Sequence, residues 1–317
     1  MLDLLDEKIL SELDNDARIS STKIAKKLHV AKSVVTYRIK NMEKSGIIKR
    51  YYSVIDSYKL GYSSYRIYLK LKRTSPKKER EIIDFLTSMK QTRWVGLIKG
   101  SYNIGVVFLV SSQGEFVDLW NVFYSKYRDQ ISKYYLGLSC GLERFRLPFA
   151  KKHLKSLANV DLVQIGSKVE IDEIDSKILE QLSINGRIPL LELSQKIGLS
   201  PAAIQYRLNS LREKKVILGF RPIVNMEMLG YTLYKIDINL KTLSSMEKMR
   251  RFAREHENIF CSIKTLGWAD VEFEVYANST SDFYSILDQI RERFEDSIED
   301  YDFFMYSELI KFRYTPY

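Results

Sequence analysis

The chain has 317 residues, 45% of them hydrophobic and 12% aromatic, which is enough apolar material for two or more packed domains and excludes a disordered chain. Its formal charge of +10 is unevenly placed: residues 1–160 carry 30 Lys/Arg against 15 Asp/Glu (+15) and residues 161–317 carry 20 against 25 (−5), so a polyanionic partner is expected of the first half. The acidic, amphipathic start MLDLLDEKILSELDND is no secretory leader, no run approaches the roughly 18 apolar residues of a membrane span, and Cys140 and Cys261 lack metal or redox spacing, which predicts a cytoplasmic, non-membrane protein with free thiols.

In chain order, Leu2, Leu5, Ile9 and Leu13 recur at helical spacing, Ile24 and Leu28 mark a short helix opening after Ser20-Ser21, and Val35, Ile39 and Met42 mark a third. Only His29-Val30-Ala31 separates the second from the third, the tight joint of a helix-turn-helix. A short β segment over Gly46–Ile55 completes an N-terminal helix-turn-helix domain, residues 1–61. Next, YSSYRIYLKLKR alternates, with Tyr65, Ile67, Leu69 and Leu71 on one face. A helix from Ser75-Pro76 to Met89, strands Trp94–Lys99 and Ile104–Val110, a helix Glu115–Tyr127 and a strand Tyr134–Leu138 follow. The order β-α-β-β-α-β predicts a ferredoxin-like domain over 62–143. Residues 144–167, with the basic stretch FAKKHLKSLANV, are expected to be a solvated linker.

The rest repeats the plan. At an offset of 169, Lys8-Ile9-Leu10 matches Lys177-Ile178-Leu179, Arg18-Ile19 matches Arg187-Ile188, Tyr37-Arg38 matches Tyr206-Arg207, and Leu60-Gly61-Tyr62 matches Leu229-Gly230-Tyr231. A second helix-turn-helix domain is therefore expected over 168–230, with Ser200 as N-cap and Pro201 at the first helical position of its third helix. A second ferredoxin-like domain is expected over 231–317. The fold class is α+β, two helix-turn-helix domains alternating with two ferredoxin-like domains.

A helix-turn-helix lays its second helix in the major groove of DNA. In the first copy the outward positions Lys32, Ser33, Thr36, Tyr37 and Lys40 are the candidates for base edges, and Lys26, Lys27, Arg38, Lys49 and Arg50 for phosphates. From Arg18 to Arg50 there are ten Lys/Arg and one acid, whereas Arg187 to Gly219 has six and two. Ala202, Gln205, Tyr206, Arg207 and Asn209 are accordingly expected to contribute more weakly.

LDEKILSELDNDARIS, IDEIDSKILEQLSINGRIP and SPAAIQYRLNSLREKKVILGF resemble the helices and hinge strand of the Lrp/AsnC (feast/famine) transcriptional regulators, over nearly the whole chain. The resemblance implies double-stranded DNA as partner. It also implies that the ferredoxin-like units are RAM-type domains that dimerise through their sheets and often bind a small effector, commonly an amino acid, at subunit interfaces. That family's Gly-x-aromatic-Asp turn corresponds to Gly100, Tyr102 and Asn103 in one copy and to Gly267 and Asp270 in the other, where Ala269 replaces the aromatic residue. Ordinary members carry one pair of domains, so the tandem chain is expected to be an intramolecular pseudo-dimer that forms homo-oligomers. No catalytic group, cofactor or metal site is expected. Two alternatives stand beside this reading: an enzyme like the siroheme decarboxylases, which share the layout and lean on histidines, and a metabolite- or partner-binding protein that no longer binds DNA. Only His29, His153 and His256 are present, none of them in the strand pairs around Gly100 or Gly267.

Overall fold

A computed structural model describes residues 2–153 and 160–313. The first head contains α1 (Leu4–Asn15), α2 (Ser21–Leu28) and α3 (Lys32–Lys44), followed by β1 (Ile48–Ile55). The first ferredoxin-like unit runs β2 (Ser63–Leu71), α4 (Pro76–Ser88), β3 (Thr92–Lys99), β4 (Ile104–Val110), α5 (Gln113–Tyr127) and β5 (Ile131–Arg144). After α6 (Pro148–His153) and β6 (Asp161–Gln164), the second head contains α7 (Glu173–Ile184), α8 (Leu190–Ile197), α9 (Pro201–Glu213) and β7 (Ile217–Val224). The second unit closes the chain with β8 (Thr232–Leu240), α10 (Met246–Glu255), β9 (Ile259–Leu266), β10 (Val271–Ala277), α11 (Thr280–Arg293) and β11 (Ile298–Phe312). Among the described residues no helix is long and apolar enough to cross a membrane.

Within each ferredoxin-like unit the alternation of its first strand sorts two environments. Ile67, Leu69 and Leu71 pack with Ile82, Leu86 and Phe123 of α4 and α5, and Ile236, Ile238 and Leu240 pack with Met249, Phe283 and Ile290 of α10 and α11. The opposite faces of the two sheets meet each other. Pairing runs β2-β4-β3-β11-β8-β10-β9-β5, and β5 pairs back onto β2, so the eight antiparallel strands close into one barrel and leave no edge in the ring. The closing strands β5 and β11 run well past the expected Tyr134–Leu138 and the strand expected near Tyr301–Met305. Each pairs first within its own unit and then with the other: β11 bonds β8 through Tyr306 and β3 from Met305 to Phe312, and β5 bonds β2 through Ser139 and β9 from Leu138 to Arg144.

The barrel interior is polar. Arg66 and Lys235 hold corresponding places on β2 and β8. Arg66 NH1 donates to Glu272 Oε2 at 2.9 Å, and Lys235, fully buried, contacts Glu272, the Tyr68 hydroxyl and, at 3.2 Å, Asp237. Burial raises the Asp237 carboxyl to about 6. Burial would also raise that of Glu272, but Lys235 and Arg66 more than offset it and hold this group below its usual range. Tyr68, Phe304, Tyr306 and Trp94 complete the packing.

The two heads share a core. β1 and β7 form a two-stranded antiparallel ribbon, and each head's first turn hangs on the other's strand: Ala17 N–H donates to Phe220 C=O at 2.9 Å, and Gly186 N–H to Tyr51 C=O at 3.0 Å, pairs related by the 169-residue offset. The segment expected to be a solvated linker is instead anchored at both ends. Arg146 donates to Asp14 C=O (2.7 Å) and Asn15 Oδ1 (2.9 Å) at the end of α1, where cations complement unpaired carbonyls. Asp161 grips Arg221 of β7 through two bonds of 2.7 and 2.8 Å. Phe145, Leu147, Phe149 and Ala150 are buried, and it is these apolar residues, interleaved with the lysines, that pull the segment inward. Residues 154–159 of that basic stretch lie outside the described part of the chain.

Candidate nucleic-acid interface

Both heads build the motif from the same local chemistry. The turn between the second and third helices needs a left-handed residue, supplied by His29 (φ 56°) in the first head and by Gly198 (φ 79°) at the matching place in the second. Val35, Ile39 and Met42 bury one face of α3, and Ile204, Leu208 and Leu211 one face of α9, which turns the opposite faces outward.

On α3 the exposed face presents Lys32, Ser33, Tyr37 (66% exposed) and Lys40, with Thr36 half-buried and its hydroxyl turned back to Lys32 C=O at 3.0 Å. Lys26 and Lys49 are exposed beside it. Lys26, Lys32, Lys40 and Lys49 make no ion pair among the described residues, while Lys27 is held by Glu12 at 2.7 Å. On α9 the same face carries Ala202, Tyr206 (76% exposed), and Gln205 bonded to Asn209 at 2.9 Å. The helix starts differ as well. Ser200 Oγ accepts the Ala203 N–H at 3.2 Å, whereas Ala31 offers α3 no side-chain cap and the matching Val34 N–H turns to Ala31 C=O at 3.1 Å.

Three arginines expected to face DNA are committed elsewhere. Arg38 NH1 donates to Asp3 (2.6 Å) and Asp6 (2.8 Å), and Arg207 NH1 to Asp172 (2.7 Å) and Asp175 (2.9 Å). These matching struts tie the recognition helix of each head to the start of its first helix, and the Arg38 bond holds the Asp3 carboxyl below its usual range. Arg50, half-buried, donates to Ser183 C=O at 3.4 Å and to Phe312 C=O, and burial lowers its pKa. The acids at the capping positions of α1 and α7 were a visible signal for the struts; nothing local marks Arg50.

The residues expected to bind an effector sit in two turns. Asn103 Oδ1 accepts the Leu71 N–H at 2.9 Å, and Asp270 Oδ2 accepts the Leu240 N–H at 2.8 Å, so each braces the end of its unit's first strand. Gly100 (φ 128°) and Gly267 (φ 150°) adopt backbone that disfavours side chains, and a Cβ on Gly267 would meet Leu136 C=O at 2.8 Å. Tyr102 stacks on Tyr68 at 5.1 Å at one end of the barrel. The structure thus gives these five residues turn-building and packing roles.

Residues 2–49 match a family model described as winged helix-turn-helix DNA-binding, and residues 171–212 one described as AsnC-type helix-turn-helix domain. The HTH-type transcriptional regulator FL11 of Pyrococcus abyssi is 34% identical over 124 residues, 39% of this chain and 82% of that protein. The chain belongs to the Lrp/AsnC family of transcriptional regulators. Another relative in the family, the regulatory protein AsnC of Haemophilus influenzae, is 28% identical over 118 residues, 37% of this chain and 79% of that protein. The tandem layout of this Lrp/AsnC chain is matched in the crystal structure of the siroheme decarboxylase NirDL, at a TM-score of 0.67 and 14% identity, covering 99% of this chain and 94% of that one; the likeness is one of fold. The histidines lie away from the barrel interior: His29 is exposed at the helix turn, His153 bonds Glu7 at 3.1 Å, and His256 Nδ1 accepts the Asn258 N–H at 3.1 Å.

Proposed function

We propose that this Lrp/AsnC regulator binds duplex DNA sequence-specifically and without enzymatic activity, with unequal heads. The observation that carries the reading is the contrast between corresponding helices: α3 presents lysines without ion-pair partners around an uncapped start, and α9 presents Ala202 and a Gln205–Asn209 pair that satisfy themselves. Lys32, Ser33, Tyr37 and Lys40 take base-edge positions, Lys26 and Lys49 neutralise phosphates, and Tyr206 with Asn209 supplies a weaker second contact. An amino-acid effector, as the resemblance implies, would meet turns in which Asn103 Oδ1 and Asp270 Oδ2 already accept backbone N–H groups.

The test is selection of binding sites from a random duplex pool with the full chain, followed by titration of the selected site at several salt concentrations. Lys40→Ala and Lys32→Ala should weaken binding strongly, and each lost phosphate contact should flatten the log–log salt slope by about 0.9. Asn209→Ala should do little. Equal losses from both heads, or no enrichment of any sequence, would refute the proposal.

A further inference from the structure

The barrel ring closes through the second halves of β5 and β11, and their first halves overhang it. Among the described residues β5 has β2 as its one strand neighbour from Ile131 to Gly137, because pairing with β9 begins at Leu138. Likewise β11 has β8 alone from Ile298 to Phe304, because pairing with β3 begins at Met305. Each overhang therefore turns a row of backbone N–H and C=O groups away from the sheet, the arrangement on which another strand can be laid.

The two overhangs are corresponding segments with different finishes. Lys133 pairs with Lys70 and Tyr135 with Tyr68, as Asp300 pairs with Asn239 and Asp302 with Asp237, so Tyr134 and Leu136 hold the places of Tyr301 and Phe303. On β11, Asp300 Oδ1 accepts the Tyr301 N–H and Asp302 Oδ1 the Phe303 N–H, both at 2.8 Å. These carboxylates cap the outward donors and, with Glu299, give that overhang three exposed acids. On β5, Lys133 and Tyr135 stand where the two capping acids would be, and among the described residues no side chain accepts the N–H of Tyr134 or Leu136. An aromatic shelf flanks this uncapped row: exposed Tyr134 lies 4.8 Å from Trp120 and 5.4 Å from Tyr124, and Leu136 is exposed beside it. The corresponding Tyr301 meets the Arg291 guanidinium instead, at 5.6 Å.

We propose that the β5 overhang is an interaction surface for a second copy of this chain, pairing antiparallel with the same strand about Tyr134. Charge selects this partner. In that register Lys133 faces the partner's Tyr135, the kind of ring it already covers at 4.5 Å within one chain, and Tyr134 faces the partner's Tyr134, which joins the two aromatic shelves. The equivalent register on β11 would set Asp300 against the partner's Asp302 and strip the cap from each N–H, so like charges close that overhang to self-pairing. A β5–β11 contact between copies would likewise have to pull Asp300 and Asp302 off the donors they cap. Because the β5 contact is two-fold and uses one patch on each copy, it closes at two chains and does not propagate. It is separate from the face-to-face packing that pairs the two units within one chain.

The test is sedimentation equilibrium of the full chain without DNA, from about 1 to about 100 μM, where a small interface of this kind gives a reversible monomer–dimer equilibrium. Lys133→Asp, which copies the cap of β11 onto Tyr134, should weaken the dimer at least about tenfold. Tyr134→Pro removes an outward N–H without touching a bond to β2 and should do the same. Asp300→Lys, on the other overhang, should leave the dimer unchanged. In the two-fold register the Tyr134 Cα atoms stand roughly 5.5 Å apart, within the span a disulfide accepts, so Tyr134→Cys should oxidise to a covalent dimer that the parent chain, with Cys140 and Cys261, does not form. A chain that stays single throughout the range would overturn the proposal and leave the overhang to an extended segment of another protein. A dimer that survives Lys133→Asp and Tyr134→Pro, or one lost in Asp300→Lys, would overturn it by placing the contact elsewhere. No step involves DNA, so the result is independent of the DNA-binding reading.

Discussion

Glu272→Gln tests the polar barrel most directly. Glu272 is fully buried, accepts from Arg66 at 2.9 Å and contacts Lys235, so the substitution leaves two buried cations with Asp237 as their remaining ion-paired acid. Breaking one side of a buried pair costs about 3–5 kcal/mol, and at roughly 2 °C per kcal/mol for a chain of this size the midpoint should fall by about 6–10 °C. Urea denaturation followed by far-UV circular dichroism and by tryptophan fluorescence measures both the loss and whether the repeats still unfold together. Removing all four charges, as Arg66→Met/Lys235→Met/Asp237→Leu/Glu272→Leu, should recover much of the stability, because desolvation of the ions disappears with them and Asp237 is not left without its cation. A Glu272→Gln loss under about 1 kcal/mol would refute the reasoning, since it would mean that the cluster is hydrated. The same cluster distinguishes the two units: Arg66 and Lys235 hold matching places, yet all three acids, Asp237, Glu272 and Glu274, belong to the second unit. Two first units facing each other would bury two arginines with no carboxylate, which favours pairing within the chain.

Other expectations follow from the same geometry. Burial raises the Asp237 carboxyl from 3.8 to about 6, so between those values the folded chain holds a proton that the unfolded chain releases; the stability of the protein relative to Asp237→Asn should fall as pH rises across this window, and a flat difference would contradict the burial. Arg38→Ala and Arg207→Ala should lower the thermal midpoint by matching, salt-sensitive amounts, because both are struts; in operator titrations at full folding, Arg38→Ala should cost far less than Lys40→Ala. Lys151 of α6 donates to the carbonyls of Ile259 (2.7 Å) and His256 at the end of α10, so Lys151→Met should destabilise the chain by roughly 1.5–3 kcal/mol in urea titration.

How much was legible depends on the range of the interaction. The repeat, the helix-turn-helix and the alternating strands all appear in local periodicity, because helix and strand faces are set by residues a few positions apart. The exposed lysines of α3 were legible for the same reason: burial of Val35, Ile39 and Met42 dictates what faces out. The intramolecular partners of Arg38 and Arg50 were not legible, because charge says that a residue wants a partner without saying which one, and these partners lie 32 to 262 positions away.

By itself the sequence determined the two-fold plan, the order of elements and the unequal charge of the heads. Only the tertiary structure decided that β5 and β11 extend to close a barrel, that the supposed linker is an anchored brace, and that Arg66 meets Glu272 across 206 residues. The physical reason is that a strand's length and a buried charge's partner are set by the surface each one meets, and here that surface belongs to the other copy of the repeat.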